Sequence, residues 1–369
     1  MLPKIKHFAT VLTFLFTLFV LTVLCLTKIG SPDGYSTVEK RPLAQPPRNI
    51  SLSSLIDKSS IEQFEDFTVD QFPFREPFRS VKANVALKVL KQKQNNGYAI
   101  ENGSIAQIKT AFDRQSIDRS IGRLAYITER YLQGSGGRLY FALIPDKNYY
   151  FAKQYGYPSP DYDSLTAQIK TALPDAILID LFGSLSIEDY YLTDWHWDQS
   201  RLDNVLHVLG ESMGFADRLP SDYQRIELYP FRGGYHDQSG LYPPPETMVY
   251  LSNETIASLS VYNYATSKTG GVYHPDLFDS DTPYDFFMEG LQGLQRIDNP
   301  TSQSDRELIV FRDSYASPLL PLIAQAYRTV YVVDIRNVLP SALGSLLDFK
   351  GRDVLFLFST TVLDSNTFK

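Results

Sequence analysis

The sequence predicts an α/β protein: an α/β/α sandwich around a mainly parallel sheet, behind an N-terminal membrane anchor helix and a helical lead-in. Three observations carry this expectation. First, Glu307–Arg336 reads as a buried strand (Leu308–Arg312), a polar corner at Asp313-Ser314, a helix (Tyr315–Tyr327) and a second buried strand (Thr329–Ile335). Two apolar, β-branched runs joined by helix-period residues make a βαβ unit, which requires parallel pairing and a right-handed crossover. Second, the same alternation occurs upstream, in strand Arg138–Ile144, helix Leu165–Leu173 and strand Ala176–Leu181. Third, Asp353–Phe358 supplies one more short apolar strand.

Composition bounds the rest. The chain has 369 residues, 43% hydrophobic and 13% aromatic, enough for a large folded core. A net charge of -7 argues against a nucleic-acid partner, because no basic field is available to displace counterions from phosphates. The single cysteine, Cys25, lies inside the first apolar run, so the body has no disulfide, thiolate metal site or cysteine nucleophile. That run, Phe8–Thr27, is uncharged and long enough to cross a bilayer as a helix. Lys4 and Lys6 precede it and favour an amino terminus on the inside. The run exceeds the core of a cleaved signal peptide, no small-x-small site follows cleanly, and Leu24 is too bulky for lipoprotein cleavage before Cys25. Residues 1–29 are therefore expected as an uncleaved anchor in place of a signal segment, and either reading exports the body.

Taken in order, residues 30–58 read as a linker rich in Pro, Ser and Gly, with a charged knot at Glu39-Lys40-Arg41-Pro42. Residues 59–369 read as the extracytoplasmic domain, with 59–110 as its helical lead-in and hairpin. Ser59–Val89 has apolar residues near helical spacing (Ile61, Phe64, Phe67; Val81, Val85, Leu87). Pro73 breaks it, and Phe72 and Phe74 are expected to pin the break to the core. Gly97–Ile108 reads as a hairpin, with Asn102-Gly103 a type I′ turn pair. Gln115–Leu132 is a helix with an apolar stripe. After Pro145-Asp146-Lys147 a polar loop rich in Tyr and Pro is expected as far as Pro160. Met213–Arg306, with Gly233-Gly234 and Pro243-Pro244-Pro245, is expected to add further strands and site loops.

Chemistry concentrates at two places. Ser314 falls where a strand ends and a helix begins, at the crevice where open α/β sheets bind ligands and where unpaired N–H groups can stabilise an oxyanion. Asp and Ser are also the usual helix caps, so this corner alone leaves two readings open, cap or nucleophile. A serine nucleophile needs a base, and the base an orienting carboxylate. Of the five histidines, His7 lies beyond the anchor, His207 falls inside a helical run, and His236 and His274 lie in loops as candidates for substrate contact. His196 differs. It sits in Leu192-Thr193-Asp194-Trp195-His196-Trp197, and in an extended segment Asp194 and His196 leave on the same face. Asp194 could hold the imidazole Nδ1–H and leave Nε2 for a hydroxyl, with Trp195 turned the other way into packing. Asp-x-His is a weak pattern by itself, and no HxH or HExxH spacing supports a metal.

Asp194-Trp195-His196-Trp197 resembles the signature of the bacterial DHHW family, with Trp195 where that family has its first His. The family is similar to the SGNH-hydrolase-like polysaccharide O-acetyltransferases of the alginate type, which carry a D-x-H-W motif. Further blocks match in order: Arg41-Pro42-Leu43-Ala44, Asp70-Gln71-Phe72-Pro73-Phe74-Arg75, Pro145-Asp146-Lys147, Gly233-Gly234-Tyr235 with Ser239-Gly240, and Asp313-Ser314-Tyr315-Ala316. The resemblance implies an SGNH-hydrolase-like fold with Ser314 as nucleophile, His196 as general base and Asp194 as its orienter. It departs at Arg312, where SGNH enzymes have Gly, and no Gly-x-Asn oxyanion block is present. Gln292, in Gly290-Leu291-Gln292, is a candidate substitute. The backbone N–H of Ser314 or Tyr315 is the better-supported oxyanion donor, and Lys147 and His236 are candidate substrate contacts.

The function so implied is extracytoplasmic O-acetyl transfer to a polysaccharide acceptor, without metal or cofactor. A membrane-bound O-acyltransferase partner would supply the acetyl groups, an implication of the family alone. The same triad would serve a carbohydrate acetyl esterase with water as acceptor. A non-catalytic polysaccharide-binding or scaffold protein of an envelope assembly is the reading without chemistry.

Overall fold

An apolar segment of this length meets its backbone hydrogen bonds in lipid only as a helix, and Leu2–Thr27 is one continuous helix, α1. Within it Lys6–Thr27, 22 residues, is long and apolar enough to cross a membrane. The computed structural model describes residues 2–36, 38, 39, 41–48 and 51–368, with side chains from residue 6 onward. The Lys4 side chain and Lys40, on which parts of the expectation rest, lie outside the described residues.

The chain forms two compact units, residues 1–95 with 237–242, and 96–236 with 243–369. In the first unit the expected linker is tied down. Tyr35–Ser36 pairs with Arg41–Pro42, and Asp70 accepts from the Arg41 guanidinium (2.6 and 2.8 Å) and the Ala44 N–H (2.8 Å). Helix α2 (Ser59–Asp70) is followed by α3 (Arg75–Asn84), which continues through a π-helical turn at Val85–Val89. The break at Pro73 is real, but it is not pinned by aromatics: Phe74 is 64% exposed and Phe72 is also exposed. Ion pairs do that work instead, with Arg75 held by Glu39, Asp70 and Glu76.

In the second unit, runs that are apolar at every position have to be buried on both faces, and they pair side by side. The sheet strands are β1 (Leu139–Ile144), β2 (Ile177–Asp180), β3 (Ser260–Asn263), β4 (Lys268–Gly270), β5 (Leu294–Asp298), β6 (Glu307–Arg312), β7 (Thr329–Val333) and β8 (Asp353–Ser359). Their order is β4-β3-β5-β7-β6-β8-β1-β2. The stretch from β7 to β2 is parallel, while β5, β3 and β4 are antiparallel. Alternation sorts each strand between two cores. Tyr140, Ala142, Val310 and Leu355 face the layer that holds Leu206 and Leu209 of α7 (Asp203–Met213). Phe141, Leu143, Ile309 and Phe356 face the layer of α4 (Arg114–Ile127) and α6 (Tyr162–Ala172). The hairpin at Asn102-Gly103 forms with both residues at positive φ.

Two expectations change here. The supposed polar loop after β1 is largely a helix, α5 (Lys147–Tyr155), because Asp146 caps it by accepting from the Tyr149 N–H. The supposed helix Tyr315–Tyr327 is a 3₁₀ turn, Ser314–Ala316, and a short helix, Leu320–Ala324. Pro318 and Pro321 lack the N–H groups that a continuous helix would use.

Candidate active site

The site forms at the carboxyl ends of the parallel strands. Asp313, directly after β6, has one carboxylate oxygen on the Tyr315 N–H (2.9 Å) and the other on the Ser359 N–H and hydroxyl (both 2.7 Å). It therefore staples the corner to the end of β8 and leaves Ser314 half-buried with its side chain free to reach a neighbour. Because Asp313 takes the Tyr315 N–H, that amide is not an available oxyanion donor. The Ser314 N–H remains the backbone donor at the corner.

Between β2 and α7 the chain runs through Thr193–Gln199, and this loop carries the partner of Ser314. His196 Nε2 lies 2.9 Å from Ser314 Oγ, and His196 Nδ1 lies 2.7 Å from Asp194 Oδ1. Asp194 Oδ1 also accepts the His196 N–H (2.8 Å), and Oδ2 accepts the Gly234 N–H (2.6 Å). Burial by itself would raise the Asp194 pKa. The facing imidazole and these hydrogen bonds outweigh it and hold the carboxyl below its ordinary value. With Nδ1–H donated to a carboxylate, Nε2 is left as the acceptor.

Nε2 receives two donors. The Trp195 indole N–H, expected to turn away, reaches back to it at 3.1 Å, beside the Ser314 hydroxyl. Gly234 makes this possible, since a Cβ there would sit 1.9 Å from Trp195 Cζ3, and a Cβ on Gly233 would meet Asp194 Cβ at 2.4 Å. The Tyr284 ring stacks flat on the imidazole (centroids 3.8 Å apart, planes 4°). The His loop and the Ser corner are stitched together: Trp197 Nε1–H to the Tyr315 carbonyl (2.6 Å), Tyr315 hydroxyl to the Trp195 carbonyl (3.0 Å), and Gln199 to the Pro318 carbonyl (2.6 Å).

The remaining candidates fall elsewhere. Lys147 is buried, not substrate-facing, and its ammonium donates to the carbonyls of Tyr191 (2.6 Å), Leu192 (3.0 Å) and Asp194 (3.1 Å). On the same stretch, Glu246 accepts the N–H groups of Leu192 (2.8 Å) and Thr193 (2.7 Å). Gln292 donates to the Glu289 carbonyl (2.9 Å) and accepts from the Asn263 amide (2.9 Å), contacts that tie it to its own turn and to β3. His236 is buried, with its N–H on the Gly233 carbonyl. Arg312 is fully buried behind the corner, donating to the Gly290 carbonyl (2.8 Å) and Ser317 Oγ (3.2 Å). Among the described residues no cluster of three or more His, Cys, Asp or Glu is arranged to hold a metal ion.

Sequence reasoning missed Tyr284, Glu246 and the Trp195 contact. Only the adjacent Gly233-Gly234 pair hinted at something bulky packed against the backbone.

No protein-family model matches the sequence, and no curated protein sequence matches it. Solved structures do. A DHHW family protein from Eubacterium siraeum superposes with a TM-score of 0.59 at 20% identity, over 74% of this chain and 94% of that one. Bacillus cereus PatB1, solved with a sulfonyl adduct, superposes with a TM-score of 0.56 at 18% identity, over 74% and 97%. The resemblance carried by the Asp194–Trp197 motif thus extends to the fold, whose mainly parallel sheet between helical layers is similar to theirs.

Proposed function

We propose that this chain is an extracytoplasmic O-acetyltransferase acting on a polysaccharide, with Ser314 as nucleophile, His196 as base and Asp194 as its orienter. The observation that carries the reading is the unbroken relay Asp194 Oδ1–Nδ1 His196 Nε2–Oγ Ser314 at 2.7 and 2.9 Å, ending on a half-buried hydroxyl. That relay requires residues 118 positions apart to meet, which a capping role for Ser314 would not.

In the proposed reaction the Ser314 Oγ–H proton passes to His196 Nε2 as Oγ bonds to the acetyl carbon of a donor ester. The oxyanion is held by the Ser314 N–H, with the buried Arg312 charge behind the corner. Collapse breaks the bond to the donor oxygen, which leaves with the proton from Nε2. A glycan hydroxyl then loses its proton to Nε2, bonds to the acetyl carbon, and displaces Oγ, which regains that proton. Asp194 stabilises the imidazolium in both halves. The helix Lys6–Thr27 would anchor the chain with its amino terminus inside, and a membrane-bound acyltransferase would be the acetyl donor.

The test uses the full chain in lipid nanodiscs with p-nitrophenyl acetate. A burst of nitrophenol with acetyl found on Ser314 by mass spectrometry is expected, falling by at least about 10³-fold in Ser314→Ala and in His196→Ala. Absence of both burst and label in the wild type would sink the reading in favour of a binding or scaffold role. Adding glycan acceptors then separates transfer from hydrolysis, since an esterase releases acetate whatever acceptor is present.

A further inference from the structure

The first unit carries a surface that its own packing does not explain. Phe74, Phe78, Val81, Val85 and Val89 recur at helical spacing along α3 and its π turn, and all are exposed, Phe74, Val81 and Val89 by 64%, 61% and 70%. The opposite face, Ala83, Ala86 and Leu87, is the buried one. A continuous stripe of large apolar side chains is not an ordinary water-facing surface.

Charge and position say what covers it. Residues 72–94 hold six basic side chains against one acidic, Glu76, in a chain whose net charge is -7. Lys82 and Lys88 border the stripe and, with Lys91 and Lys93, are exposed. An apolar stripe edged by lysines is the composition of a helix lying in a lipid interface, with its stripe in the acyl boundary and its cations among anionic headgroups. Asp33 lies six residues past the end of α1, at most roughly 20 Å of chain. Its N–H donates to the Gln71 side chain (2.9 Å) and its carbonyl accepts from the Gln71 amide (2.9 Å), with Gln71 itself buried. Phe72 and Phe74 follow directly, so the exit of α1 and the start of the stripe are hydrogen-bonded neighbours. Phe74 adopts a left-handed φ of 58°, a conformation a bulky side chain rarely takes, and ion pairs to Arg75 brace that turn.

We propose that α3, with Phe72 and Phe74 at its head, lies flat on the membrane surface beside the anchor and embeds its Phe/Val stripe in anionic lipid. This rests on reading α1 as a membrane-spanning anchor.

The experiment uses the full chain with Cys25→Ser, reconstituted in vesicles of phosphatidylcholine with and without phosphatidylglycerol. Single cysteines at Phe78, Val81 and Val85 carry an environment-sensitive nitrobenzoxadiazole dye, with Glu211→Cys, on the exposed side of α7, as the control. The expected result is a blue shift and loss of emission to a lipid-borne quencher at all three stripe positions, stronger with phosphatidylglycerol and absent at the control. Water-like emission at the stripe in chains that float with the vesicles overturns the proposal. A blue shift without lipid quenching overturns it too, by putting protein on the stripe, either a second copy or a partner. Chains that fail to float, or are stripped by alkaline carbonate, overturn the anchor reading itself and the inference with it.

Discussion

Gly234 sets the tightest condition on the candidate site. Its amide holds Asp194, and its missing side chain leaves the space that Trp195 fills. Gly234→Ala is expected to cost about 1–3 kcal/mol in thermal stability, the usual range for overpacking. It should also slow the acetyl burst, because Trp195 and Asp194 cannot both keep their places. Trp195→Phe probes a different term. The indole N–H shares the lone pair that has to accept the Ser314 proton, and a hydrogen bond is worth about 1 kcal/mol, so its removal should raise the burst rate about fivefold in stopped flow. An unchanged or slower burst would mean that Trp195 serves the site through packing alone. Asp194→Asn should cost about 10⁴-fold in turnover with the fold intact by circular dichroism, since an amide cannot accept all the donors that now converge on it.

The loop that carries Asp194 and His196 is an element held by charge. Lys147 grips its carbonyls and Glu246 its amides, so opposite charges brace the same stretch of backbone. Burial pushes the Lys147 ammonium down to about 7, partly opposed by Glu246 and Asp194. Burial likewise raises the Glu246 carboxyl. As pH rises through about 7 Lys147 loses a proton, and two N–H groups remain for three carbonyls. Turnover is therefore expected to fall on the alkaline side of about pH 7. Glu246→Gln removes a charge that favours the ammonium, so it should move that limb to lower pH. A pH–rate profile of the burst for both proteins checks this, and a limb that stays in place would remove Lys147 as its source. The hairpin at Asn102-Gly103 and β1, β6 and β8 needed no such help to be read, because turn chemistry and unbroken apolar runs are local signals. The segment after Ser314 misled for the same reason. Its apolar period suggests one helix, while Pro318 and Pro321 split it.

For the whole molecule, the proposal is an anchor, a membrane-lying helix and an α/β body outside the cell. It follows that protease added to intact spheroplasts should digest the body while a tag at the amino terminus survives until the cells are lysed. Loss of the tag at the same rate as the body would reverse the proposed orientation. The acetyl donor is the other whole-molecule question, and co-purification of a polytopic acyltransferase with the full chain in mild detergent is the expected outcome.

The sequence by itself determined what depends on near neighbours: the long apolar first helix, the parallel strands, the turn at Asn102-Gly103, and the Asp-x-His spacing that lets one carboxylate reach its own imidazole. It also held, as separate motifs, both halves of the candidate relay. Only the tertiary structure decided that His196 and Ser314 meet, that Trp195 and Tyr284 close over the imidazole, and that Lys147 grips backbone and not substrate. The same holds for the Phe/Val stripe of α3, whose apolar spacing looks like a core face until packing leaves it outside. The physical reason is one of range. Helix and strand patterns are written by hydrogen bonds and side-chain periods within a few residues, whereas burial and charge pairing depend on which distant segments the sheet brings together.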